Sequence, residues 1–209
     1  WAAGYFCKPL ALGANVSVQA ATKYLVGHAD CLIGTISSAD EQTAQKIFLA
    51  LLQLGSNVSA DDAYLALRGM RTLSARLERH QENAHELVNW LKKRDEVARI
   101  LHPGQKSCPG HAVWKRDFTG ASGLFSVVLK PAPLPALKAF FNAFKIFGLG
   151  FSWGGVESLA LPVKPENYRT ATAWKAEGPV VRFHAGLEDI EDLKIDLERG
   201  FMAMAGARK

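Results

Sequence analysis

Long apolar runs are missing from this sequence. No stretch approaches the ~18 residues of a membrane helix, and the opening residues do not read as a charged-then-apolar leader. Cysteine is scarce. Cys7, Cys31 and Cys108 are far apart and odd in number, with no C-x-x-C and no zinc-like Cys/His spacing. That argues against a disulfide scaffold and a metal centre, and leads us to expect reduced thiols in a cytoplasmic protein. The net charge is +5 and the pI about 9.2, yet no basic block with interleaved aromatics occurs. Cations mix with acids, as in Arg76-Leu77-Glu78-Arg79, which reads as a mildly cationic surface and not a nucleic-acid partner. There is no internal repeat and no low-complexity tract. An initiator Met and a polar entry segment are also missing. Trp1-Ala2-Ala3-Gly4-Tyr5-Phe6 reads as the middle of a longer chain, so we expect residues upstream.

What is present is ordinary globular composition: 209 residues, 48% hydrophobic and 22% charged. That is enough for one large domain or one and a half typical ones. Residues 15 to 19 alternate as a strand does. Residues 31 to 37 form a short apolar run suited to a buried strand. Ser38 is placed to cap a helix over 39 to 54, with Gly55 as its stop. The next segment is the most regular. Ala63, Ala66, Met70, Leu73, Leu77, His80, Ala84, Leu87 and Leu91 step by three and four, which predicts one long helix from about residue 60 to 93. Gly69 inside it is a candidate bend, and His80 on the stripe reads as a core or interface histidine. Such a helix bridges domains or meets a partner chain. Strand-like pieces follow at 97 to 101, 123 to 129, 149 to 152 and 180 to 184. Helical pieces follow at 134 to 145 and 189 to 204, and a loop spans 102 to 122. We read a small α/β unit, with a boundary near residue 70.

Three strings could carry chemistry. Thr22-Lys23-Tyr24 follows the first strand. A Schiff-base lysine needs a fixed position near a strand end and an amine able to shed its proton. A hydroxyl beside it could meet a phosphate, and Gly27 lets the chain turn away. Alone, Lys23 reads as one surface lysine among many. Arg182 lies inside the apolar strand Val180 to His184, where a permanent charge calls for a carboxylate. That carboxylate could belong to a ligand or to a structural Asp or Glu. His184 falls on the face opposite Phe183 and receives no role. Glu188 and Asp189 suit the opening of the last helix. The pair Gly154-Gly155 would let backbone approach a ligand, whereas Trp153 by itself reads as a core aromatic.

Taken together the strings resemble a known family. Residues 17 to 30, Ser-Val-Gln-Ala-Ala-Thr-Lys-Tyr-Leu-Val-Gly-His-Ala-Asp, resemble the cofactor-lysine signature of the Cys/Met-metabolism pyridoxal-phosphate enzymes, commonly T-K-Y-x-x-G-H-S-D. Ala29 departs from the usual serine. Ala20 stands where many members carry a phosphate-binding serine, as it does in bacterial β-lyases. Phe151 to Leu159 resembles the S-x-G-G-x-E-S segment, and a tryptophan at its variable position looks like those β-lyases. Val180 to Asp189 resembles R-x-x-x-G-L-E-D, and Gly110 to Ser126 looks like β-lyase framework.

The resemblance implies a fold type I, pyridoxal-phosphate-dependent transferase-like α/β architecture. Residues 1–70 would be the later part of the cofactor-binding large domain, and 71–209 the C-terminal α/β domain. It implies pyridoxal 5'-phosphate on Lys23 with Thr22 at its phosphate, and Arg182, Ser152 and Trp153 around the substrate. The implied reaction is α,β-elimination of L-cystathionine to homocysteine, pyruvate and ammonia in methionine biosynthesis, by a homotetramer. A γ-synthase or γ-lyase is the alternative. The acid at the pyridine nitrogen, the ring-stacking aromatic and the phosphate-binding turn are upstream features in this family. We therefore expect the 209 residues to need an upstream half, and a fragment active only in assembly is a third reading.

Overall fold

The computed structural model describes residues 1–175 and 177–207. The first strand, β1 (Val16–Gln19), pairs antiparallel with β2 (Thr35–Ser38), Val18 opposite Ile36. The apolar run at 31 to 37 is thus not a buried strand. Ile33 spends its backbone on Thr22: its N–H donates to Thr22 Oγ1 (2.8 Å) and its carbonyl accepts from the Thr22 N–H (3.0 Å). A strand ladder can start only beyond it, and β2 has no fully buried residue.

Helix α1 (Glu41–Gln53) is capped by Asp40, not Ser38. The Asp40 carboxylate accepts from the Thr43 N–H at 2.8 Å, a stronger cap than a hydroxyl because it is charged. Gly55 ends the helix at φ +67°. The long stripe forms two helices, α2 (Ala60–Met70) and α3 (Leu73–Leu91). They are split by a tight turn in which Arg71 N–H donates to Arg68 O and Thr72 N–H to Gly69 O. The break lies two residues past Gly69. Gly69 earns its place differently: a Cβ there would collide with the Val26 and Leu25 backbone.

Beyond α3 run β3 (Val97–Leu101), helix α4 (His111–Asp117), β4 (Leu124–Leu129), α5 (Leu134–Asn142), β5 (Gly148–Leu149), β6 (Leu159–Val163), β7 (Val180–His184) and α6 (Ile190–Gly206). The predicted loop at 102 to 122 therefore holds a short helix. The predicted strand at 149 to 152 shrinks to two residues, because Phe151 to Val156 form a turn instead. The sheet order is β3-β4-β7-β6-β5, antiparallel except for β5 with β6. One face is covered by α3, α5 and α6. Leu87, Phe140, Phe183, Leu197 and Phe201 meet there, almost fully buried. At roughly 25 cal/mol per Å² of apolar surface removed from water, this cluster is the main source of stability. No helix among the described residues is long and apolar enough to cross a membrane.

Candidate active site

Strand periodicity decides what β7 offers. Val181 and Phe183 point into the helix-covered core, so Arg182 and His184 share the other face. Opposite that face lies the turn after β1. Lys23 N–H donates to Ala20 O, Val26 N–H to Ala21 O, and Gly27 N–H to Lys23 O. Gly27 has φ +74°, the left-handed region glycine tolerates. Arg76, buried on α3, clamps this turn. Its Nη1 donates to Tyr24 O at 2.8 Å, and its Nη2 to Leu25 O at 3.2 Å and Gly69 O at 2.8 Å. A cation saturating three carbonyls costs less to bury than a bare one, although burial still pulls its pKa down.

The residues predicted to form a site converge. Lys23 Nζ donates to Ser152 Oγ at 3.1 Å and lies 4.6 Å from the centroid of the Trp153 ring. Arg182 Cζ lies 5.5 Å from the same ring centroid, and Nη2 donates to Phe151 O at 2.6 Å. Trp153 is thus held between two cations and is not a core aromatic. Gly154, at φ +86°, brings its backbone against the Lys23–Tyr24 peptide; a Cβ there would stand 2.6 Å from Tyr24 N. Thr22 sits beside Lys23, but its hydroxyl donates to Ile33 O at 3.2 Å and accepts from Ile33 N.

Among the described residues, neither Lys23 nor Arg182 meets a carboxylate. Partial burial pulls the Arg182 guanidinium below its ordinary pKa. Two unneutralised cations beside one aromatic ring fit an anionic ligand with a group that condenses with an amine. Pyridoxal phosphate, with its aldehyde, meets that description, and an amino-acid carboxylate is a second anion suited to the guanidinium fork.

Some of the site was not read from the sequence. His184 Nε2 accepts the Gly154 N–H at 3.0 Å. It shares a buried cluster with Tyr24 and His80, ring centroids 5.0 to 5.8 Å apart. Burial, aided by the neighbouring His80 and Arg182, drives the His184 pKa down to about 3. Burial likewise takes His80 to about 4, with Nδ1 on Ala185 O at 2.7 Å. Burial also raises the Tyr24 hydroxyl. The available signal was an i, i+2 pairing of Arg182 and His184 on one strand face. Asp189 caps α6 as expected, accepting from Glu191 N. Glu188 does not join it: its carboxylate accepts from Ser158 N (2.6 Å) and Ser158 Oγ (2.8 Å), tying the 150s turn to the end of β7.

Comparison with known proteins gives this geometry a family. The sequence profile described as Cys/Met metabolism PLP-dependent enzyme matches residues 1–202. A putative cystathionine beta-lyase of Rhizobium johnstonii is 49% identical over 207 residues, covering 97% of this chain and 52% of its own length. Cystathionine beta-lyase MetC of Escherichia coli is 44% identical over 208 residues, covering 96% and 52%. Among solved structures, a cystathionine gamma synthase from Xanthomonas oryzae in complex with cystathionine superposes with a TM-score of 0.87. It shares 35% identity over 97% of this chain and 53% of its own. The chain spans about half the length of the curated relatives it matches.

Proposed function

Because the chain belongs to the family of Cys/Met-metabolism pyridoxal-phosphate-dependent enzymes, we propose that it is the lysine- and carboxylate-binding part of a carbon–sulfur lyase that cleaves L-cystathionine by α,β-elimination. The observation that carries this is the Lys23–Trp153–Arg182 arrangement, two cations without described carboxylate partners on one aromatic ring. Residues 1–70 would belong to the cofactor-binding domain and 71–209 to the C-terminal domain. An upstream half of the same enzyme would complete the site, in a homotetramer.

When bound, pyridoxal phosphate supplies an aldehyde for amines and a pyridine ring that accepts the electrons left at Cα. Lys23 would hold it, with Thr22 beside it at the phosphate. Arg182 binds the substrate α-carboxylate through its planar fork and fixes the Cα–H direction. The freed Lys23 amine takes the Cα proton and returns a proton to the departing sulfur, yielding homocysteine; pyruvate and ammonia follow by hydrolysis. Ser152 Oγ, 3.1 Å from Nζ, keeps that amine in reach.

The relatives' beta-lyase names and Trp153 favour this outcome, while the Xanthomonas gamma synthase supports a second reading as a γ-synthase or γ-lyase. The protein carrying this chain with its upstream half, given L-cystathionine and cofactor, is expected to release pyruvate. Lys23→Ala should lower that rate on the order of 10³-fold. Release of 2-oxobutyrate in place of pyruvate would sink the β-elimination reading, and full activity in Lys23→Ala would sink the lysine assignment.

A further inference from the structure

β7 carries two side chains on its site face. Arg182 reaches the Trp153 ring and Phe151 O, while His184 runs deeper and ends on the next peptide, Gly154 N–H to Nε2 at 3.0 Å. That peptide links Trp153 to Gly154. Its other side abuts Lys23, where the absent Cβ of Gly154 leaves room for the Lys23–Tyr24 backbone. The Gly155 carbonyl lies 3.2 Å from the same nitrogen. One nitrogen cannot donate to it and accept from Gly154 together. The Gly154 N–H is satisfied by the tautomer that carries its proton on Nδ1 and leaves the Nε2 lone pair free. His80 and Tyr24 wall the imidazole in, 5.0 and 5.8 Å away between centroids. The unpartnered polar atoms of all three rings are enclosed in the protein: Tyr24 Oη, His80 Nε2 and His184 Nδ1. Neither Lys23 nor Arg182 donates to them.

We propose that His184 is a positioning residue: its neutral imidazole holds the Trp153–Gly154 peptide and thereby fixes Trp153 and Ser152 against the Lys23 amine. The proposal rests on Lys23 being the cofactor lysine, but the hold on the turn can be read without cofactor. The imidazole acts as a one-atom acceptor at the end of a stiff arm, so the replacement that matters is of reach and lone pair. In His184→Gln the amide oxygen extends about as far as Nε2 and can accept. In His184→Asn it stops at the depth of Nδ1. In His184→Leu there is no acceptor.

Two measurements on the protein carrying this chain with its upstream half test this. Amide hydrogen exchange across residues 152 to 156, without cofactor, is expected to accelerate about tenfold in Asn and Leu, the scale of one lost hydrogen bond. It should stay within about threefold of the parent in Gln. Borohydride fixation of pyridoxal phosphate, mapped to Lys23 by peptide mass, is expected to slow in the same order. A folded Asn variant with parent-like exchange overturns the hold on the turn. Faster exchange with unchanged fixation at Lys23 overturns the link to the lysine. Exchange that accelerates equally in Gln and Asn assigns His184 a bulk packing role and also overturns the proposal. Absence of fixation in the parent counts against the Lys23 reading itself, which the exchange result leaves separate. If Leu fails to fold, the Gln and Asn pair decides.

Discussion

The first seventy residues and the five-stranded unit use the same apolar vocabulary to opposite ends. In the sheet unit, Phe140, Phe183 and Phe201 are almost fully enclosed by α3, α5 and α6. In the first region α1 buries none of its residues and α2 buries only Gly69. Leu32 is 88% exposed and Phe48 61%. In β1, Ser17 is inside while Val16 and Val18 are outside, the reverse of a sheet covered by its own chain. Val18, Leu32, Ile36, Ile47, Phe48 and Leu51 line one open apolar groove. Contiguous apolar surface of this kind is uncommon on a soluble monomer. The two regions differ in where their apolar side chains lie: one encloses them in its own core, and the other leaves much of its apolar surface open.

The largest test of that contrast is Phe140→Ala, which should cost about 3–5 kcal/mol because the core cannot collapse onto the void. Urea denaturation would read it, and a loss under about 1 kcal/mol would deny that the sheet unit is self-supporting.

A medium effect is expected from acid. His80 and His102 are held by burial at about 4, and His184 at about 3, against an ordinary histidine near 6.5. The unfolded chain binds more protons in that interval, so stability is complete above pH about 6.5 and falls progressively below it. Most of the loss precedes protonation of ordinary carboxylates near 4. A denaturation midpoint constant between pH 7 and 4.5 would contradict the buried histidines.

The smallest effect should come from Phe48→Gln. The isolated chain is expected to change stability by less than about 0.5 kcal/mol, while self-association measured by sedimentation falls. A multi-kcal/mol loss would mean that α1 is packed after all.

The sequence was readable where the cause of structure is local. The 3–4 stripe over Leu73 to Leu91, the alternation of Val180 to His184 and the start of α6 depend on neighbours within a turn or two. The break at Arg71–Thr72 was not readable, since the stripe keeps its step of three from Met70 to Leu73 straight across it. β6 escaped because Pro162 argues against a strand. It is tolerated because β5 ends at Leu149, opposite Ala160, leaving that edge open. In the site, Lys23, Ser152, Trp153 and Arg182 were found through family strings, and Arg182 also through its charge in an apolar strand. The bond of Thr22 to Ile33 and the hold of His184 on Gly154 were invisible, because hydrogen-bond partners across a fold leave no periodic trace.

The Lys23–Ser152 hydrogen bond joins residues 129 apart in sequence. On a ribosome the lysine emerges long before the serine, the tryptophan and the arginine that surround it. Its turn can form early, clamped once α3 delivers Arg76, but the arrangement around its amine waits for β7, near the end of this chain. Closing so long a loop is slow, so the surroundings of the Lys23 amine are completed at a late stage of folding. A chain stalled short of His184 would carry the lysine without the strand that faces it.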